Sequence, residues 1–195
     1  MGPAIRTEGA RGGLLARLLR AVGAALQRLV PRRRAWIPVV LWMALISYLS
    51  ELPGRPGGSN TTWIYVSNLG HAPVFGLLGL WMALLLPREA GPPGEGSWPR
   101  LDRRGAGLVL AAIAAFGLLD ELHQGWTGHR DFSVLDLVTN VTGAACVLWV
   151  AAHAGGREAS EAGLGGRLAV SAGLCLAVAA LATCLPGFFP GVGWM

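Results

Sequence analysis

Long apolar runs with few charged residues recur along the chain. Each run is close in length to the roughly 20 helical residues that are needed to cross about 30 Å of hydrocarbon. None has the strict alternation of a barrel strand, and lipid offers the backbone no hydrogen-bond partners, so helices are expected. The sequence therefore predicts an all-α, polytopic transmembrane bundle with a four-helix core and a fifth C-terminal span. The five predicted spans are Ala35–Leu52, Val66–Leu86, Gly105–Leu122, Phe132–Ala152 and Leu168–Leu185.

The segments outside these runs complete the predicted organisation. Between Leu14 and Val30, apolar residues recur at helical spacing and arginines fall on the other side, which predicts an amphipathic helix on an anionic leaflet. A signal peptide is the rival interpretation, but the interspersed arginines disfavour it. We expect a basic N-terminal region (1–34), a four-span membrane domain (35–152), and a linker, fifth span and short external tail (153–195). Pro87–Arg104 is expected to be a Pro/Gly-rich loop.

The charge distribution predicts the orientation of the chain. The net charge is +5, and all basic residues are arginines. Only Arg55 and Arg130 fall in the two loops on one side of the predicted membrane, whereas the remaining arginines fall on the other side. The positive-inside rule then places the N-terminus in the cytoplasm and the C-terminus outside. This segregation also argues against nucleic acid as the partner of the basic residues.

Polar side chains converge on the outer ends of the predicted helices. Asp120 follows Arg104 by 16 residues, or roughly 24 Å of helix, and so lies just below the outer boundary. The first span ends in polar residues that include Ser50 and Glu51, and His71 and Asn140 are expected at similar depth. Ionisable groups at this depth are expensive and indicate a functional site. The predicted site residues are His71, Asp120, Glu121, His123, Gln124, Arg130, Ser133, Asp136 and Asn140.

Structural explanations compete with the functional one at several of these positions. Ser133 and Asp136 have the spacing of a helix-capping pair, and Asn140 can join neighbouring helices by hydrogen bonds. His71 can bond to backbone, and Arg130 can neutralise an acid. If the site holds a divalent cation, Glu121, Asp136 and His71 are the expected ligands. No cofactor is identified from the sequence.

These residues are similar to the motif of the VanZ-like family of small bacterial membrane proteins. The motif is an acidic pair, a glutamine, an arginine and a Ser…Asp…Asn…Gly series, which here ends at Gly143. His71 followed by Leu78-Gly79 matches the family's second mark, and the similarity covers roughly Ile37–Ala152. The chain departs from the family at Asn68, Ala72 and Val147, where a lysine, an aromatic and a small residue are usual. The resemblance implies a bacterial cytoplasmic membrane location.

Three functions are compatible with these observations. The first is an outward-facing polar pocket that binds an anionic cell-envelope or lipid-linked ligand, such as a wall precursor, with the bilayer as the protein's surroundings. The namesake's association with teicoplanin makes glycopeptide resistance an implied role. The second is a non-enzymatic scaffold or antibiotic-shielding protein with a structural polar cluster, and the third is an ion-coupled carrier. The sequence lacks H-E-x-x-H and G-x-S-x-G motifs, which disfavours an enzyme.

Overall fold

Six helices and one short hairpin make up the part of the chain that the structure describes. The structure is a computed structural model, and it describes residues 13–52, 60–90, 97–127, 132–156 and 159–185. The helices are α1 (Leu14–Leu29), α2 (Trp36–Glu51), α3 (Thr61–Ala83), α4 (Arg103–Thr127), α5 (Val134–Ala154) and α6 (Glu161–Cys184). A 3₁₀ turn, Arg32–Arg34, precedes α2, and strands β1 (Arg88–Ala90) and β2 (Ser97–Pro99) pair antiparallel between α3 and α4.

The helices overlap the apolar runs of the sequence. Within the described ranges, three stretches are long and apolar enough to cross a membrane: Arg103–Trp126, Val134–Ala154 and Glu161–Cys184. Helices α2 and α3 overlap the first two predicted spans. The fold is therefore all-α apart from the small hairpin, and it belongs in a membrane. The tail at 186–195 lies outside the described residues.

Side-chain caps explain where four of the helices begin. Asn60, Ser133 and Ser160 each accept a hydrogen bond from a backbone N–H in the first turn of α3, α5 and α6. Asp102 Oδ1 does the same for Gly105 N, 2.7 Å away, at the start of α4. This bond, with the Arg100 guanidinium 2.8 Å from the other carboxyl oxygen, holds the pKa of Asp102 below its ordinary value. Such caps satisfy amides that have no partner within the helix.

Contacts near the helix ends show that α3 runs antiparallel to both α2 and α6. Arg32 Nε donates to the Leu85 carbonyl (3.0 Å), which joins the start of α2 to the segment just after α3. Asn68 Nδ2 donates to Thr183 Oγ1 (3.1 Å), which joins the first half of α3 to the end of α6. The described arginines all belong to the end that carries Arg32, so we call it the arginine end and the opposite end the polar end.

Small residues let α3 and α5 approach closely. A Cβ atom on Gly143 would overlap the backbone of Ala72, and one on Gly79 would lie 3.3 Å from the Ala144 Cβ. Gly76 lies against the Gly143 carbonyl. Gly143 therefore permits the close approach of the two helices. The main apolar core surrounds this crossing and is contributed by four helices: Val39, Ile46, Phe75, Leu78, Val109, Ile113, Ala144 and Leu148 are among its buried members.

Helix α1 docks on the arginine end of the bundle. Arg20 donates to the carbonyls of Ala154 (2.7 Å) and Gly156 (2.9 Å) at the end of α5. At the start of α1, Leu15 N donates to Glu161 Oε1 (2.9 Å). Ala16, Ala154 and Leu164 form a small second core beneath the helix. The helix predicted for this segment is thus fixed to the protein, while Leu14 and Leu18 stay exposed on its outer side.

The segment expected to be a loop between α3 and α4 contains the hairpin. Its Trp98 side chain lies against Gly23 of α1 and Gly155 at the end of α5, and it donates to the Ala151 carbonyl (3.1 Å). The glycines leave room for the indole ring. The hairpin therefore connects α1 to the bundle as well as α3 to α4.

Candidate functional site

Asp120 is the centre of a buried hydrogen-bond network at the polar end. Its Oδ2 atom accepts from Ser50 Oγ at the end of α2 (2.9 Å) and from Gln124 Nε2 one turn further along α4 (2.8 Å). Gln124 Nε2 also lies 3.1 Å from Ser50 Oγ. All three residues are buried. The network joins α2 to α4 and fixes the orientation of the Asp120 carboxylate.

The second oxygen of Asp120 remains without a hydrogen bond from any described residue. Asp120 lines a cleft of about 240 Å³ between α2, α3 and α4, which we call the polar cleft. One part of its wall is polar and the other apolar. The polar part consists of Ser50, Ser67, His71 and Asp120, the apolar part consists of Ile46, Leu49, Val74 and Phe75, and Gly70 completes the lining.

His71 is held in the polar cleft from both sides. Its Nδ1 atom lies 3.0 Å from Asn140 Oδ1 on α5, and its ring stacks on Phe75 with an interplanar angle of 7°. With Nδ1–H donating to Asn140, the Nε2 atom is left to bond to a ligand. Asn140 is fully buried, and its Nδ2 atom, which lies against the backbone at Gly117, has no hydrogen-bond partner in the described ranges.

Glu121 points to α5 rather than into the polar cleft. Adjacent residues of a helix are separated by about 100° around its axis, so Glu121 diverges from Asp120. Its Oε2 atom accepts from Ser133 N (2.9 Å), and Ser133 Oγ in turn accepts from Asp136 N (3.1 Å). The S-x-x-D capping arrangement expected from the sequence is therefore present. The Glu121 carboxylate extends it by bonding at the positive end of α5.

The remaining predicted residues lie nearer the surface or beyond the described part. His123 Nε2 is 3.7 Å from Glu51 Oε1, and both side chains are largely exposed. Asp136 is half-buried in the first turn of α5. Arg130 lies outside the described residues. Within the described ranges, no group of three or more His, Cys, Asp and Glu side chains is arranged to hold a metal ion. The cation site at Glu121, Asp136 and His71 stays a prediction.

Two polar contributors to the cleft were not among the predicted site residues. Ser50 was noted only as part of the polar end of the first span, and Ser67 was not singled out. Ser67 precedes His71 by four residues, so the helical period alone places both on one face of α3. The four-residue spacing between Ser67 and His71 is the sequence signal that could have identified Ser67 as a site residue.

Comparison with known proteins adds the family to this geometry. The model of the VanZ/LLP1 family matches residues 28–154. The chain belongs to the VanZ/LLP1 family. No curated protein and no solved structure matches the chain. The family segment includes α2 to α5, which carry the polar network and the His71–Asn140 pair, whereas α6 and all but the last two residues of α1 lie outside it.

The structure accounts for two of the positions at which this VanZ/LLP1 member departs from the expected pattern. Asn68, where a lysine is usual, is buried and donates to Thr183 of α6. Val147 lies on the α3–α5 crossing, where its side chain occupies the space beside Gly76. Asn68 therefore bonds to α6, the helix that lies outside the family segment. Val147 fits at the crossing because the facing residue, Gly76, has no side chain.

Proposed function

We propose that this VanZ/LLP1 protein binds the polar head of an anionic, lipid-linked cell-envelope molecule in the polar cleft. The proposal includes a topology of four core spans and one C-terminal span, with the arginine end in the cytoplasm and the polar end outside. The ligand would reach the cleft from the outer leaflet of the bacterial cytoplasmic membrane.

The unsatisfied oxygen of Asp120 is the observation that carries this proposal. Leaving a buried acceptor without a hydrogen bond costs about 1–3 kcal/mol, and more for a charged group. Folding alone does not require that cost, because the Ser50 and Gln124 bonds use only the other oxygen. A hydroxyl group of a ligand in the cleft would donate to this atom, and His71 Nε2 would bond to a second polar group.

The walls of the cleft support an amphiphilic ligand. Ser50, Ser67, His71 and Asp120 offer hydrogen bonds, while the apolar part of the wall suits a hydrocarbon segment that continues into the bilayer. The anionic character comes from the sequence, where Arg130 belongs to the family motif and is suited to pair with phosphate. Asp120 would then select the hydroxyl groups, and Arg130 the negative charge.

Binding of polyprenyl phosphate by the purified protein in lipid nanodiscs tests the proposal, with native mass spectrometry as the readout. We expect Asp120→Asn and His71→Gln to lose the bound lipid while their unfolding midpoints stay near that of the wild type. Asp102→Asn, which alters an acid at the arginine end, is the matched control and should bind normally. Equal binding by Asp120→Asn and the wild type would contradict the proposal.

A structural role is the second candidate function, and the hydrogen bonds that cross between helices favour it. Ser50–Asp120 joins α2 to α4, and His71–Asn140 joins α3 to α5. In that case the protein is a scaffold or a shield, and both Asp120→Asn and His71→Gln should reduce its accumulation in the membrane. Normal accumulation of both variants together with loss of binding separates the ligand site from the scaffold.

A wall-precursor ligand would connect the protein to teicoplanin. Under this proposal, expression of the wild type in a susceptible strain raises the teicoplanin concentration that inhibits growth. Asp120→Asn, present at equal abundance, leaves that concentration unchanged. An equal effect of the two proteins would remove the polar cleft from any resistance role.

A further inference from the structure

A second cavity lies on the other side of α3, and the polar residues of the site do not line it. This apolar groove has a volume of about 430 Å³, and its walls come from α1, α3, α5, α6 and Trp98. Its lining is almost entirely hydrocarbon and includes Leu19, Ala72, Val147, Leu168 and Ala172. Along α5 the groove extends from Ala154 to Gly143, a distance of about 16 Å at the helical rise.

The surroundings of the groove determine what can occupy it. Its walls on α5 and α6 are stretches long and apolar enough to span a membrane, so the groove lies at the depth of the lipid chains. Helix α1 contributes Leu19, Val22 and Leu26 at the arginine end and so covers part of its length. A transmembrane helix of a partner would need an uninterrupted face, whereas a flexible hydrocarbon chain can pass beneath α1.

Charge at one end of the groove indicates the headgroup. The Arg20 guanidinium donates to the carbonyl of Ala154, a residue of the groove wall, and so lies at this end of the cavity. Arg17 and Arg28 are exposed on the outer side of the same helix, away from the groove, where they suit an anionic membrane surface. The positive charge of Arg20 at this end of the groove suits the phosphate of an anionic lipid, and the apolar lining beyond it suits a hydrocarbon chain.

We propose that the apolar groove holds one acyl chain of an anionic glycerophospholipid, with its phosphate at the Arg20 end. The chain runs between α5 and α6 towards Val147 and Ala72. The site is separate from the polar cleft, since Ala72 and Pro73 face the groove while His71 and Val74 face the cleft. The bound lipid would also fix α1 and α6, which lie almost wholly outside the family segment, to the family core.

Photolabelling tests this inference on the full chain in nanodiscs. The probe is phosphatidylglycerol with a diazirine in the first half of one acyl chain, and the labelled residues are mapped by peptide sequencing. We expect labelling of the wild type to concentrate at groove residues such as Val147. Ala172→Trp, which fills the groove from α6, should reduce groove labelling to the level of a lipid-exposed residue such as Leu181. Ala177→Trp lies on the same helix, away from the groove, and should leave the labelling unchanged.

A second groove variant and a second lipid probe provide further tests of the proposal. Leu168→Trp blocks the groove from a second position and replaces Ala172→Trp if the latter variant unfolds at lower temperature. Phosphatidylcholine with the same diazirine should label the groove less than phosphatidylglycerol, because it lacks net negative charge. Uniform labelling along α5 and α6, equal labelling by the two lipids, or groove cross-links to a second protein copy would each overturn the proposal. None of these results depends on the polar cleft.

Discussion

The close crossing of α3 and α5 predicts that Gly143→Ala separates the two helices and destabilises the protein. An ideal Cβ at this position would lie 2.5 Å from Ala72 Cα and 2.6 Å from its carbonyl carbon. Non-bonded carbons prefer about 3.5–4.0 Å. Both contacts involve backbone, which cannot rotate away as a side chain can. The helices must therefore part by about 1 Å, and this kind of overpacking costs about 1–3 kcal/mol.

Gly173→Ala is the matched control for this substitution. Gly173 also lies within a helix, but a Cβ there would meet nothing within 4 Å. Both variants gain the helix propensity of alanine over glycine, about 0.8–1 kcal/mol. The difference in free energy of unfolding between the variants therefore isolates the crowding, and we expect Gly143→Ala to be less stable by about 1–3 kcal/mol.

Reversible unfolding in mixed micelles, followed by circular dichroism, measures this difference. A second readout is the imidazole nitrogen chemical shift of His71. Separation by about 1 Å would lengthen its 3.0 Å contact with Asn140 beyond hydrogen-bonding distance. Equal stability of Gly143→Ala and Gly173→Ala, with an unchanged His71 signal, would refute the close crossing.

Three further predictions concern single polar contacts. Ser50→Ala removes a donor to Asp120 and should lower the free energy of unfolding by about 1 kcal/mol in the same micelle assay. This effect should be smaller in an Asp120→Ala background, where only the contact between Ser50 and Gln124 remains, and an unchanged effect would argue against the Ser50–Asp120 bond. Glu121→Ala leaves the Ser133 N–H without this acceptor and should lower the free energy of unfolding by about 1–3 kcal/mol. Glu121→Gln keeps a carbonyl oxygen and should lower it less. Equal losses of stability in the two variants would argue against the cap. The depressed pKa of Asp102 means that its cap is intact above the unfolded value of 3.8 and is lost as the pH falls through the lower folded value. A carboxyl NMR titration should accordingly have its midpoint below 3.8, and a midpoint at or above this value would contradict the cap.

The positions of the helices could be predicted from the sequence because two independent signals coincide. Apolar runs mark the helix bodies, and Ser133 lies at the start of α5, where a cap was expected. Helix α4 extends past the predicted span, which ended at Leu122, as far as Thr127. The polar side chains of Asp120 and Gln124 can be buried at this end of α4 because they are hydrogen-bonded to each other inside the bundle. The VanZ-like resemblance was likewise confirmed by the family match.

The partners within the site could be predicted only in part. Helical rise places Asp120, His71 and Asn140 at one depth, but it does not determine how each helix is rotated about its axis. That rotation depends on contacts between helices, such as the one between Gly143 and Ala72. The sequence therefore predicted one convergent polar layer, whereas the two acidic neighbours diverge: Asp120 faces the cleft and Glu121 caps α5.

The arginine end was the least predictable part of the fold. The position of α1 depends on bonds between residues far apart in sequence, from Arg20 to Ala154 and from Leu15 to Glu161. The hairpin has three residues in each strand, too few for a periodic pattern, and Trp98 holds it in place by contacts with distant glycines. Such tertiary contacts leave no local signal.

Cysteine accessibility in intact cells tests most directly whether the polar cleft opens to the outer face. Ser67 lines the cleft, while its neighbour Val66 is 52% exposed on another side of α3 at nearly the same depth. Each position is changed to cysteine in a background without Cys146, Cys175 and Cys184, and the cells are treated with a membrane-impermeant maleimide. We predict that Ser67→Cys is labelled from outside and Val66→Cys is not. Labelling of Ser67→Cys only from the cytoplasmic side, in inverted vesicles, would contradict the account.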